Sequence, residues 1–257
     1  MSYGLQLSAS GVASAMYRQD VLSNNLANAN TVGFKADVVS SKPRLDVRHE
    51  DGVMNLPSNE LLERLGGGVL MNPNRVNLSQ GPVTRRTDPL CVAIESEGFF
   101  RVSNGDSSKM TTLTRDGRFA VNTQQQLVMA TSGMPVLDDG NQPIIIDQTQ
   151  TLEISGDGSI RQGGAITAVL GMVSVKDTSQ MTKYGDSLLK VPTVATATLP
   201  AEERKIRQNA VEESSVNELR TLLDMTSASR EIDAHVALMQ SHDKMMERAI
   251  NGLGRVS

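Results

Sequence analysis

Few residues in this chain have the type and spacing to do chemistry. His235 and His242 stand seven apart, which puts both on one face of any helix that carries them, where two imidazoles can share a metal. No cysteine completes such a site, and neither histidine falls in the apolar row of its segment. The pair therefore reads as part of a solvated or inter-subunit face. Cys91 is the single cysteine, which excludes an internal disulfide, and within "LCVAI" it reads as a small buried side chain rather than a nucleophile. "GDGS" (156–159) and "DDGN" (138–141) share the composition of calcium loops but not the ligand spacing of an EF-hand, so both read as hairpin turns. Glu202, Glu203, Glu212 and Glu213 read as a solvated charged face leading into the last helix. There is no G-x-S-x-G elbow, H-E-x-x-H pair or phosphate loop. The residues thus nominate no catalytic group, no metal site and no cofactor, and an enzyme is not expected.

The elements that would position any site follow from composition and period. The chain has 257 residues, a formal net charge of -4, 3% aromatics and no Trp, so its core must rest on Leu, Ile, Val, Met and Ala. Mild acidity without a basic, aromatic-interleaved patch argues against nucleic acid. No apolar run approaches the roughly 18 residues that span a bilayer, so membrane insertion is not expected. "MSYGLQLSASG" has neither a basic n-region nor an apolar h-region and is not a cleavable secretory signal.

At the N-terminus Leu5, Ser8, Val12, Ala15, Gln19, Leu22, Leu26 and Ala29 alternate in steps of three and four. Leu222, Met225, Ser229, Ile232, Val236, Met239, Asp243, Met246, Ile250 and Leu253 keep the same alternation at the other end, a period of 3.5 that favours coiled-coil packing. Ser215 and Glu218 are spaced as a capping box for that helix, and Gly252 and Gly254 weaken its last turn. Between the helices lie short β-rich runs divided by Asn104-Gly105, Asp116-Gly117, Asp139-Gly140 and Asp157-Gly158, which supply the positive φ of tight hairpins. The expected architecture is α+β: N- and C-terminal helices forming a coiled-coil-like stalk around a central antiparallel β domain. Its segments are an N-terminal helix (1–36), an extended or irregular linker with Pro43, Pro57, Pro73 and Gly66 to Gly68 (37–87), the β domain (88–200) and a C-terminal helix (201–257).

"SASGVASAMYRQDVLSNNLANANTVGFKAD" closely resembles the N-terminal signature of bacterial flagellar rod and hook proteins, with Ser23 through Lys35 matching nearly residue for residue. "DPLCVAIESEGFFRV" with "LTRDGRFAVNTQQQLVMATSGMPVL" is similar to the start of that family's β domain, and "AVEESSVNELRTLLDM" to its C-terminal opening. One departure is "SREIDAHVAL", where the family often carries an aromatic residue after the Arg. "LPSNELLERLGGGV" and the Gly33 to Phe99 distance resemble the distal rod protein, and "ERAINGLGR" the proximal one, which is preferred. A distal rod or hook-type subunit is the alternative.

The resemblance implies a non-catalytic structural subunit of the flagellar basal-body rod. It would be exported unprocessed through the flagellar type III apparatus and polymerise in the periplasm with itself and other rod subunits, its helices in an inner tube that transmits torque and encloses the export channel. Before assembly the terminal seams are expected to be partly disordered. Leu22, Asn24, Asn25, Leu26, Asn28, Gly33, Phe34, Leu222, Met225, Ile232, Val236, Met239, Met246 and Ile250 are the expected subunit contacts. Asn24 and Asn25 would reach adjacent chains, Asn28 and Asn30 would cap the frayed helix, and Gly33 would permit the reversal that Phe34 pins. A reading from another class is a soluble binding module with a private helical stalk.

Overall fold

The computed structural model describes residues 3–45, 49, 68–105, 110–185 and 187–253. Helix α1 spans Tyr3–Ala27 and helix α2 spans Glu218–Leu253, and the strand pairing between them is mostly antiparallel. The chain divides into two compact units. One holds Met1–Leu26, Asp37–Asn74 and Asn217–Ser257, and the other Ala27–Ala36 and Arg75–Val216.

In the helical unit, α1 and α2 run antiparallel. Gly4 meets His242, Gly11 meets His235, and the Arg18 guanidinium donates to Glu231 at 3.1 Å. The inward rows are Gly4, Ser8, Gly11, Ala15, Arg18, Leu22 and Asn25 on α1, and Thr221, Met225, Ala228, Ile232, His235, Met239, His242 and Met246 on α2. One expected row of each helix is thus inward and the other is displaced by one residue. Leu5 is left 39% exposed, Leu222 48%, Val236 37% and Ile250 65%, while Val12, Gln19 and Leu26 are half-buried. The histidines, expected on a solvated or inter-subunit face, instead lie in the seam because only small residues stand opposite them. Strands Ser41–Pro43 and Val69–Met71 pair within the stretch read as an irregular linker. Their hairpin meets α1 through the Ser14 hydroxyl on Met71 sulfur (3.1 Å) and the Tyr17 hydroxyl on Asn74 (2.9 Å). Pro57, Gly66, Gly67, Gly254 and most of "LPSNELLERLGGGV" lie outside the described residues.

In the β unit a six-stranded sheet has the order Thr182–Gly185, Leu188–Pro192, Met110–Thr114, Phe99–Val102, Met172–Val175, Thr196–Thr198. Leu152–Ile154, Ser159–Gln162 and Ala165–Val169 form a three-stranded meander. The core between them is aliphatic, with Ile94, Leu127, Met129, Ile144, Ile160, Leu170 and Met172 buried around Phe100 and Phe119, whose rings meet edge to face at 5.2 Å. Strands continue past residue 200: Ile206–Gln208 pairs with Val92–Ile94, and Ala210–Glu212 with Val83–Arg85. The buried Ile206, Ala210 and Val211 hold these segments in the β unit despite the charges that suggested helix. The last helix begins only at Glu218, capped by the Asn217 side chain, which accepts from Arg220 N at 2.9 Å. Ser215, expected as the cap, accepts from Ala36 N instead.

Asp157-Gly158 makes the expected hairpin turn, with Gly158 at φ +90 and Asp157 accepting from Ser159. Asp116-Gly117 does not. Gly117 has no positive φ; it is glycine because a Cβ there would lie inside the Val92 carbonyl oxygen, while Val92 N donates to Gly117 O at 2.9 Å. Gly117→Ala is expected to cost roughly 2 to 4 kcal/mol through forced backbone displacement. Gly133→Ala, in open space at φ +69, should cost only about 1 kcal/mol of backbone strain. Equal urea midpoints for the two variants would contradict this assignment.

Candidate functional site

Glu212, expected in a solvated face, is instead enclosed in the β unit, with its side chain only 1% exposed. It sits at the end of strand Ala210–Glu212, whose three residues are all buried. Its Oε1 accepts from Lys35 Nζ at 2.6 Å and from Gly81 N at 2.9 Å, and its Oε2 accepts from the Arg115 guanidinium at 3.0 Å. The two cations are equally enclosed, Lys35 at 2% and Arg115 at 5% side-chain exposure. Lys35 also donates to Ser79 O (2.8 Å) and Arg115 to Ser96 O (3.1 Å), and the Arg115 guanidinium lies 5.0 Å from the centre of the Phe99 ring. Burial pushes the Lys35 ammonium and the Arg115 guanidinium below their ordinary pKa values, and the bonds to Glu212 act against that push.

The backbone around Lys35 shows why the sequence reads T-V-G-F-K. Thr31 N donates to Asn28 O at 3.1 Å and the Thr31 hydroxyl to Asn28 Oδ1 at 3.2 Å, closing the turn after α1. Gly33 then takes φ +70 and donates to Glu212 O at 2.7 Å, and a side chain there would collide with the backbone of Arg115 and Asp116. Ser215 N donates to Phe34 O (3.1 Å), Ala36 N to Ser215 Oγ (3.0 Å) and Asn77 N to Ala36 O (2.8 Å). Residues 33–36 are thus stitched along the segment that follows Glu212. Phe34 is buried beneath Lys183, whose Nζ lies 4.1 Å from the ring centre. Val32 packs with Cys91 and Val211, and burial is the main cause of the raised Cys91 pKa, in keeping with an inert thiol.

The sequence-nominated residues fall into three groups. Gly33 and Phe34 belong to the junction just described, beside Asn28 at its turn. Asn25 is buried in the helical unit and turned toward its own chain: its amide donates to Asp37 O (2.8 Å) and accepts from Asp37 N (2.9 Å). Asn24 lies on the exposed side. Leu22, Leu26, Met225, Ile232, Met239 and Met246 are half-buried, and Leu222, Val236 and Ile250 exposed. Sequence reasoning missed the Lys35–Glu212–Arg115 junction. Its members lie one in each of the three quoted motifs, where nothing local sets them apart from the other charges.

The chain matches three sequence families in order. Residues 5–35 match the family described as "Flagella basal body rod protein", residues 93–162 the "Flagellar hook protein FlgE/F/G D1 domain", and residues 207–252 the "Flagellar basal body rod FlgEFG protein C-terminal". Each matched segment contributes one member of the buried triad. The flagellar basal-body rod protein FlgF of Caulobacter vibrioides is 30% identical over 241 residues, covering 93% of this chain and 92% of that protein. The chain belongs to the flagellar basal-body rod protein family. FlgF of Mesorhizobium japonicum is also 30% identical, over 244 residues and 93% of both chains, while FlgG of Buchnera aphidicola is 27% identical over 262 residues, 95% of this chain and 97% of that one. This rod protein is therefore a structural subunit of the FlgF-like type. Among its described residues no helix is long and apolar enough to cross a membrane, and no cluster of three or more His, Cys, Asp or Glu stands together.

Glu212→Ala would strand two buried cations. It is expected to remove roughly 3 to 5 kcal/mol of stability, read from chemical denaturation. Lys35→Met, which leaves the Arg115 bond in place, should cost less. A Glu212→Ala protein with the wild-type midpoint would contradict this account.

Proposed function

We propose that this rod protein polymerises through the outward rows of its terminal helices. The product is the periplasm-spanning drive shaft and export channel, with this subunit in the proximal, FlgF-like part. Its partners are further copies of itself, other rod subunits and the flagellar type III export apparatus, which takes the chain without a cleaved signal. The protein does no catalysis, and its work is mechanical.

The observation that carries this reading is the exposure of large apolar side chains on both helices. Met16 is 53% exposed on α1, and on α2 Leu219 is 70%, Leu223 63%, Leu238 51%, Met245 53% and Ile250 65% exposed. Such density is costly on a lone helix pair and stabilising on a surface that neighbours cover, since fully burying one such side chain is worth roughly 1.5 to 3 kcal/mol. Leu222, Val236 and Ile250 stand in this set together with Leu5. Leu22, Leu26, Met225, Ile232, Met239 and Met246 support it from the seam, giving the stalk its coiled-coil-like character. Asn24 faces neighbouring chains, while Asn25, Asn28, Gly33 and Phe34 hold the exit from α1 and act on assembly through that geometry.

The combined variant Leu222→Asp and Ile250→Asp tests this directly. Both positions are exposed, so the purified chain should keep its stability to within about 0.5 kcal/mol. Cells carrying the variant should be non-motile, with no rod seen in electron micrographs of isolated basal bodies. Wild-type motility would overturn the proposal.

A further inference from the structure

We infer that the register of the two terminal helices is locked at two points, each a histidine seated on a glycine. Gly4 and Gly11 are seven residues apart on α1, and His235 and His242 are seven apart on α2. Because the helices are antiparallel, each imidazole meets one glycine. A methyl group added at Gly11 would stand 2.5 Å from Cε1 and 2.6 Å from Nε2 of His235, and one added at Gly4 would stand 3.0 Å from the same two atoms of His242. Glycine is a poor choice inside a helix, and here its use is to make room for a ring. A second observation points the same way: the His235 Nδ1 is buried with no hydrogen-bond partner among the described residues, so the ring is held within the seam rather than turned to water.

Two points specify a register where one would not. A slip of one heptad in one direction would set His242 over Gly11 but drive His235 onto Arg18, breaking its bond to Glu231. A slip the other way would seat His235 over Gly4 and carry His242 past the end of α1. Only the observed register seats both rings and keeps the Arg18–Glu231 pair. The lock also aligns the outward rows. In an antiparallel pair, residues one position after the inward rows of each helix fall on the same side, so Leu5 and Val12 share a stripe with Leu222, Val236 and Ile250. The use of that stripe in assembly rests on the function proposed above, whereas the lock itself is a property of the single chain.

The test uses the full chain in a Cys91→Ala background, with nitroxide labels at Ala9→Cys and Ser227→Cys, both exposed positions that stand well apart along the helix axis. Double electron–electron resonance should give one narrow distance. Adding Gly11→Ala should broaden it or displace its mean by several ångströms, because a slip of one heptad moves one helix about 10 Å along the axis of the other. Adding His235→Ala to Gly11→Ala removes the collision and leaves the Gly4–His242 seat and the Arg18–Glu231 pair as the two points that hold the register, so the original distance should return. An unchanged distance in Gly11→Ala, or a broad distribution in the parent chain, would overturn the inference. Either result stands independently of whether the stripe supports assembly, because the measurement is made on the unassembled chain.

Discussion

A carboxylate that has lost its water must find its charge answered inside the protein, and Glu212 finds it in Lys35 and Arg115. The cost of taking these three groups out of water is recovered only if all three arrive together with good geometry. They lie far apart in the chain, Lys35 separated from Glu212 by 177 positions and Arg115 by 97. The β unit can therefore close only when the segment after α1, the residues just past strand Met110–Thr114 and the final strand are all in place. Much of the local chemistry follows from that demand. Gly33 takes a left-handed conformation so that its amide reaches Glu212 O, and Gly81 presents its amide to the carboxylate. Apolar residues of matching shape could stabilise such a site as well or better, so its value lies in registry. Only one alignment of these segments satisfies every charge.

The helical unit follows a different logic. Its inward rows mix glycine, serine, alanine, threonine and histidine with about as many larger residues, while many of its largest apolar side chains point away. Small residues allow close approach with little hydrophobic gain, so the pairing of α1 with α2 is specific without burying the most stabilising surface. On the assembly reading proposed here, that surface is kept for neighbouring subunits. Both units thus use polar or small groups to set register.

What could be read from the sequence divides along the same line. Hydrophobic period located both helices and several of the strands between them, among them Phe99–Val102, Phe119–Val121 and Leu127–Met129, because period reports local conformation. It misplaced half of each seam for a physical reason: Leu222, Val236 and Ile250 carry the stronger apolar signal, yet a single chain leaves them exposed. Period cannot distinguish a row buried within the chain from one reserved for a partner. Asn25 was read as an outward contact because nothing local reveals that Asp37 offers it both a donor and an acceptor. Glu212 was read as solvated because four glutamates near the C-terminal segment resemble a charged face. The partners that bury it lie in distant segments, beyond the reach of any local pattern. Arg115 was hidden inside a tetrapeptide that reads as a hairpin turn, and Gly117 of that tetrapeptide serves close packing instead.

The central claim, that the segment following α1 is part of the β unit through the Glu212 junction, is tested most directly by native-state hydrogen exchange on the full chain. The amides of Gly33 and Ser215, which donate to Glu212 O and Phe34 O, should exchange only with the global opening that releases core amides such as Leu127. Exchange of Gly33 and Ser215 at the rate of a frayed helix end, while Leu127 stays protected, would contradict it.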